Sequence, residues 1–194
     1  MSSKRGLIIT GGQEVCGLRD HLFDINFDLE IRRFEETDLI VKSLGGDVSG
    51  WSLVVLVPAL SPLDSTLLAL ESRLAELFSI TKSTAAVFED SGNAPRFVVL
   101  LRGAAAMGQK DDLLNSALAG AMLSLGRTLS LELKKVGGSW NTIMYSSDLG
   151  VDNESDSIAP VAALISVLAG SSGSAINGQE IFAMQGADVG RLHP

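Results

Sequence analysis

The side chains that could carry chemistry are few and lie far apart in the sequence. Neither of the two histidines, His21 and His193, has a cysteine or an acidic pair at metal-ligand spacing. The only tyrosine, Tyr145, would need a neighbouring cation to act as an acid, and Lys134 and Lys135 fall at the far end of the preceding element. We therefore expect no metal site and interpret Tyr145 as a packed or interface aromatic.

One acidic cluster and one cysteine complete this set. Asp152, Glu154 and Asp156 alternate in a polar segment that lacks the glycine and the distal glutamate of a calcium loop. Cys16 is the only cysteine, so the chain has no internal disulfide, which is typical of the reducing cytosol. Its apolar neighbours are typical of a small core residue and not of a nucleophile.

Composition narrows the classes of partner and location. The chain has 194 residues, which predicts one domain over residues 1–194. The net charge of −8 repels phosphate backbones, so we expect no nucleic acid partner. The sequence shows no signal peptide and no run of about 20 apolar residues. We therefore predict a cytoplasmic protein with no membrane partner.

Short apolar runs separated by turn residues predict the strands of the fold. Runs that are apolar on both sides of the pleat indicate strands covered on both faces, whereas alternation indicates a strand nearer an edge. The buried strands are predicted at residues 6–10, 51–59, 96–101 and 140–145, an edge strand at 25–34 and a final strand at 178–184.

Leucines and alanines at helical spacing predict helices at residues 62–88, 111–136 and 158–169. Residues 35–50 are predicted to form a short, partly irregular connection, and 151–157 a loop. Gly120 and Gly126 fall inside a helix, where each costs about 1 kcal/mol relative to alanine, so another backbone is expected close by. Strands that alternate with helices predict a three-layer, doubly wound parallel α/β fold.

Residues 116–146 resemble the long helix and following strand of short-chain dehydrogenases/reductases. In that family the helix opens with the catalytic Tyr-x-x-x-Lys, and those two positions fall on Asp111 and Asn115. The family's catalytic serine falls near Arg102, and its helix asparagine near Leu74. The resemblance thus implies a dehydrogenase scaffold without its catalytic groups.

The cofactor site of that family is disrupted in the same way. Residues 10–17 match the pattern Thr-Gly-x-x-x-Gly-x-Gly, but the middle glycine is Val15, which would stand where a phosphate lies, and Glu14 adds a negative charge. Where the family has Asn-Asn-Ala-Gly, this chain has Pro58, which offers no N–H donor, between Val57 and Ala59. The resemblance implies that this chain binds no cofactor and that NAD is bound by a partner subunit.

Two segments are shorter than in the family. The Pro-Gly that leads into the family's substrate lid falls on residues 145–146, close to the next helix, so the lid is absent. Between residues 34 and 51 about one strand–helix unit is missing. Residues 174–184, in contrast, resemble the family's last strand and the segment before it.

The retained parts are those that build oligomers in this family. Its two long helices form a bundle between subunits, and its last helix and strand form a second contact. The resemblance implies a non-catalytic subunit that pairs with a catalytically complete NAD-dependent dehydrogenase in a hetero-oligomer of two plus two chains. The predicted interface residues are Leu67, Leu70, Leu74, Phe78, Leu118, Met122, Leu125, Leu129, Ile181 and Phe182.

Three other interpretations stay open at this stage. The chain could be a structural domain of a ketoacyl reductase or polyketide ketoreductase system, whose degenerate halves look similar. It could bind a small molecule such as a CoA ester. A receiver domain is a further alternative, but Thr10, Gly11 and Pro58 stand where its acidic residues are required.

Overall fold

The computed structural model of the chain describes residues 4–11, 17–24, 27–46, 51–60, 66–91, 94–145 and 154–183. These residues form one six-stranded parallel sheet in the order β2-β1-β3-β4-β5-β6. The strands are β1 (Lys4–Thr10), β2 (Phe27–Arg33), β3 (Trp51–Val57), β4 (Arg96–Arg102), β5 (Ser139–Tyr145) and β6 (Glu180–Ala183). The helices are α1 (Leu18–Asp24), α2 (Thr37–Gly46), α3 (Leu67–Ser91), α4 (Gly103–Ala106), α5 (Leu113–Lys134) and α6 (Glu154–Ala169).

Both faces of the sheet are covered, which explains why its central strands are apolar at nearly every position. One core cluster lies on the side of α3 and α5 and includes Leu56, Val99 and Trp140. The other lies on the side of α1 and α6 and includes Val55, Val98 and Ile143. The predicted three-layer, doubly wound α/β architecture is therefore confirmed.

The connection between β2 and β3 differs from the prediction. A 3-10 turn at Phe34–Glu36 leads into helix α2, where the sequence predicted an irregular link. Phe34 and Ile40 are completely buried in the core on the α3 side, and α2 packs along α3. Burial of these two side chains stabilises a helix that its glycines alone would disfavour. The expectation of an irregular connection is therefore wrong for the described residues between β2 and β3, which form a helix.

Two further helical segments go beyond the prediction. Helix α1 at Leu18–Asp24 follows the first turn and contributes Leu18 and Leu22 to the core. Helix α6 begins at Glu154, four residues before its predicted start, so residues 154–157 are helical and not part of a loop.

The two glycines inside α5 have different surroundings. A Cβ on Gly126 would lie 2.4 Å from Nε1 of Trp140, so this position is kept small by a side chain and not by a neighbouring backbone. Trp140 is 1 % exposed and stacks on Phe97, with 5.4 Å between the ring centroids. Gly120 is exposed, and a Cβ there would meet nothing within 4 Å.

Candidate functional site

The carboxyl ends of β3, β4 and β5 meet the first turn of α5 at one edge of the sheet. In doubly wound folds ligands bind at this edge, near the point where the strand order reverses. Here the order reverses between β1 and β3. Val57, Arg102 and Tyr145 close the three strands at this edge.

The two chain segments on either side of the reversal point lie in close contact. The Gly11 N–H donates to the carbonyl of Val57 at 3.1 Å. A Cβ on Gly11 would lie 2.2 Å from the carbonyl oxygen of Ala59, so only glycine permits this approach. Gly11 therefore has a packing role between the segments that follow β1 and β3. Glu14 and Val15 lie outside the described residues, and the disrupted fingerprint stays a prediction.

A chain of hydrogen bonds occupies the centre of this edge. One Asp112 carboxylate oxygen accepts from the Arg102 guanidinium at 3.0 Å, and both oxygens accept from the Asn115 amide at 2.9 and 3.0 Å. The Asn115 carbonyl oxygen accepts from the Leu60 N–H at 2.9 Å. We call Arg102, Asp112, Asn115 and the Leu60 N–H the edge network.

The edge network follows from local sequence. Asp112 is the N-cap of α5, and its carboxylate also accepts from the backbone N–H of Asn115. Asn115 stands three residues later and is 9 % exposed. Arg102 ends β4, and the short helix α4 connects it to the start of α5. A cap, a turn and a strand end thus bring a guanidinium, a carboxylate and an amide together.

The two predicted positions in this helix turn out differently. Asn115 is part of the edge network, and Arg102 joins it as the charged partner of Asp112. Asp111 is exposed, precedes the N-cap and is not part of α5, which begins at Leu113 and not at 111. Asp112 was missed from the sequence, although an aspartate directly before an apolar helical run is a recognisable N-cap signal.

A cavity of about 10 Å³ lies beside the edge network, which is room for one water molecule. Pro58, Ala59 and Tyr145 line it together with Arg102 and Asn115. Burial raises the pKa of the Tyr145 hydroxyl above its ordinary value of 10, and the Arg102 guanidinium opposes that rise. Burial therefore favours the neutral hydroxyl of Tyr145, which can donate a hydrogen bond.

The part of the chain that the structure describes was also searched for metal sites and membrane-spanning helices. No three histidine, cysteine or acidic side chains come together there in a way that could hold a metal ion. No helix in those ranges is long and apolar enough to cross a membrane. Leu74, at the family's asparagine position, is a half-buried residue of α3 that packs against the core.

The outer faces of α3 and α5 carry exposed apolar side chains. On α5 one line of exposed residues contains no charge, and we call it the α5 stripe: Leu113, Ala117, Gly120, Ser124, Thr128 and Leu131. Leu113 and Leu131 are 73 % and 68 % exposed. On α3, Leu67 and Phe78 are 76 % and 59 % exposed.

The predicted interface residues divide into three groups. Leu67 and Phe78 are exposed, and the half-buried members are Leu70, Leu74, Leu125, Leu129, Ile181 and Phe182. Leu118 and Met122 are completely buried beneath α5. The structure corrects the prediction for these two, because their side chains pack on the sheet and leave no surface for a partner.

Comparison with solved structures places this geometry in a known fold. A double mutant of a short-chain dehydrogenase/reductase from Serratia marcescens matches with a TM-score of 0.71 and 13% identity over 93% of this chain and 95% of that one. A second structure of a short-chain dehydrogenase/reductase from Serratia marcescens matches with a TM-score of 0.69 and 13% identity over 93% of this chain and 95% of that one. ElxO with NADP bound matches with a TM-score of 0.73 and 12% identity over 94% of this chain and 97% of that one.

The chain has the short-chain dehydrogenase/reductase fold. At this level of identity the similarity establishes the fold and not the activity. No protein-family model matches the sequence, and no curated protein sequence matches it.

Proposed function

We propose that this chain is a non-catalytic subunit that assembles with a catalytically complete NAD-dependent short-chain dehydrogenase. The observation that carries the proposal is the edge network. At the positions that correspond to the family's serine and lysine, Arg102 and Asn115 are engaged with Asp112 and with the Leu60 N–H. A charge-paired guanidinium and a buried amide cannot exchange a proton with a substrate near neutral pH.

One contact at the carboxyl edge supports the proposal that this chain does not bind its own dinucleotide. The buried N–H of Leu60, which could otherwise face a ligand, is bound by Asn115. ElxO was solved with NADP, so the fold itself accommodates such a cofactor. We propose that NAD binds to the partner subunit and that this chain binds none.

The α5 stripe is the surface that we propose for the partner's matching helices. Gly120 supports this assignment, because an exposed glycine in a helix costs about 1 kcal/mol and a Cβ there would meet no described atom within 4 Å. Alanine, serine and threonine on the same line allow close approach of another helix. Leu113 and Leu131 at the two ends would each bury an apolar side chain on assembly.

The resemblance to short-chain dehydrogenases/reductases also suggests a substrate for the partner. The shortened scaffold resembles the inactive subunit of 2-[hydroxy(phenyl)methyl]-succinyl-CoA dehydrogenase, an NAD-dependent heterotetramer of anaerobic toluene degradation. We propose that the partner oxidises a hydroxyacyl-CoA such as 2-(hydroxybenzyl)succinyl-CoA. The assembly would then contain two copies of each chain, in the cytoplasm.

Affinity purification of the tagged chain from its native cells tests the assembly. The expected result is stoichiometric recovery of a dehydrogenase with an intact Tyr-x-x-x-Lys pair. Gly120→Leu should abolish that recovery, because the added side chain holds two helices apart. The control, Gln109→Leu, places the same side chain at an exposed position outside α5 and should retain the partner. Recovery of the chain alone, or equal recovery by both variants, would contradict the proposal.

A further inference from the structure

The outer edge of β2 is open in the sheet that the structure describes. Strand β2 pairs with β1 along all of its seven residues, and no described strand lies on its other side. An open edge of this length presents backbone N–H and C=O groups that can pair with another strand. At Ile31, on this strand, 40 % of an apolar side chain is exposed.

Side chains on β2 alternate between two chemically different faces. Phe27 and Leu29 belong to the core on the α1 side, so Ile31 lies on that face as well. Asp28, Glu30 and Arg32 lie on the opposite face, where Glu30 forms an ion pair with Arg32 and another with Arg5 of β1 at 4.0 Å. One face of the edge is thus apolar, and the other carries both signs of charge.

We propose that β2 pairs edge to edge with β2 of a second copy of this chain, antiparallel about a twofold axis at Glu30. This register places Asp28 opposite the copy's Arg32, Leu29 opposite Ile31, and Phe27 opposite Arg33. The twofold axis repeats each pair, so two carboxylate–guanidinium pairs and two apolar pairs form. Glu30 faces its own copy on the axis, where Arg5 and Arg32 of each chain balance its charge.

Neighbouring registers fit less well. In a twofold antiparallel pair, residues that lie opposite each other point to the same face of the sheet. Each possible register is therefore defined by the residue on which the twofold axis is centred. Centring the pair on Leu29 places Asp28 opposite Glu30 and sets like charges against each other. Centring it on Ile31 places Glu30 opposite Arg32, but it leaves only five paired residues and loses the Asp28–Arg32 and Leu29–Ile31 pairs. Only the register at Glu30 pairs all seven residues of the strand, and it sets Asp28 opposite Arg32 on both sides of the central Glu30 pair.

This contact is separate from the partner surface on α5. The two surfaces together would join two heterodimers into a two-plus-two assembly. The β2 contact does not depend on the proposed function, because it is a property of this chain alone.

Charge exchange tests the register directly in the isolated full chain. Sedimentation equilibrium over a concentration series should show a monomer–dimer equilibrium for the unaltered chain. Asp28→Arg and Arg32→Asp should each raise the dimer Kd by roughly tenfold or more, because every reversal sets like charges opposite each other twice. Lys110→Asp, at an exposed turn, is the control and should leave the Kd unchanged.

Two further experiments restore the unlike charge pairs and so distinguish a loss of strand pairing from a defect in folding. The double variant D28R/R32D restores unlike pairs and should recover dimerisation. An equimolar mixture of the two single variants should form heterodimers, because each then meets its complement. If a single variant does not fold, as judged by circular dichroism, the double variant decides: a dimer supports the register and a monomer overturns it.

Other outcomes overturn the proposal. They are an unaltered chain that stays monomeric at all concentrations, a dimer that persists in Asp28→Arg, or a mixture that stays monomeric. A dimer that Gly120→Leu dissociates would instead place self-association on the α5 stripe. Loss of partner recovery with an intact β2 dimer would contradict the proposed function and leave this inference standing.

Discussion

At the scale of single residues, Asn115 is the centre of the edge network. Its amide satisfies a buried backbone N–H with one end and a carboxylate with the other. A side chain that serves two buried partners costs more to remove than one that serves a single exposed partner. Its stabilising role can therefore be measured without any assay of activity.

We expect Asn115→Ala to lower the free energy of unfolding by about 1–3 kcal/mol, because the Leu60 N–H and the Asp112 carboxylate lose a partner in a buried setting. Urea denaturation measures this change. Asp111→Ala is the control, and its effect should stay within about 0.5 kcal/mol because the side chain is exposed. Equal effects of the two variants would mean that the network does not stabilise the fold.

The pKa of Tyr145 gives a second prediction at this scale. Because the chain has one tyrosine, ultraviolet absorbance of tyrosinate reports this residue alone. Its midpoint should lie above 10, and Arg102→Gln should raise it further, because that cation opposes the effect of burial. A midpoint below 10 would contradict the buried position of the hydroxyl.

The same shift makes stability depend on pH. The folded chain holds the Tyr145 proton more tightly than the unfolded chain, whose tyrosine titrates near its ordinary value of 10. Stability is therefore fully present below pH 10 and falls as the pH rises from there through the folded pKa. Tyr145→Phe should weaken this loss in urea denaturation measured across the alkaline range.

At the scale of elements, α5 contains two glycines whose substitution should have opposite effects. We expect Gly120→Ala to raise the free energy of unfolding by about 1 kcal/mol through helix propensity, since its Cβ meets nothing within 4 Å. Gly126→Ala should lower it by about 1–3 kcal/mol, since its Cβ meets the Trp140 ring at 2.4 Å. Thermal or urea unfolding measures both. Changes of the same sign would contradict the placement of α5 on the sheet.

The strands and long helices could be predicted from the sequence because their signals are local. An apolar run predicted strand β3, and helical spacing predicted helix α3. The predicted bounds differ from those in the structure by only a few residues. Helix α2 was missed because its glycines resemble a connection, and its stability comes from burying Phe34 and Ile40 in a core built by distant segments.

The candidate site was predicted only in part, for a related reason. The positions of Arg102 and Asn115 could be located by resemblance to a family. Their contact through Asp112 depends on how the end of β4 meets the start of α5, which no local pattern records. The burial of Leu118 and Met122 was missed because helical spacing identifies an apolar stripe but not whether it faces the sheet or a partner.

At the scale of the whole molecule, two surfaces stand out as places for other chains. The α5 stripe lies on one covered face of the sheet, and the β2 edge lies at one end of the strand order. An assembly with two copies of each of two chains needs two different contacts. The proposed partner contact and the proposed self-contact meet that requirement.

We expect Leu131→Glu to abolish recovery of the partner and leave the free energy of unfolding of the isolated chain within about 0.5 kcal/mol. The residue is 68 % exposed, so the change adds a charge to the α5 stripe without disturbing the core. Affinity purification and urea denaturation of the same variant measure the two effects. A partner that remains bound would exclude the α5 stripe as its docking surface.

Native mass spectrometry of the complex purified from its own cells tests the central claim most directly, because it counts chains and nucleotides in one spectrum. The account predicts two copies of this chain, two copies of a complete dehydrogenase, and NAD in a number no greater than that of the dehydrogenase copies. Nucleotide bound to this chain by itself, or one nucleotide for every chain in the complex, would contradict a non-catalytic subunit.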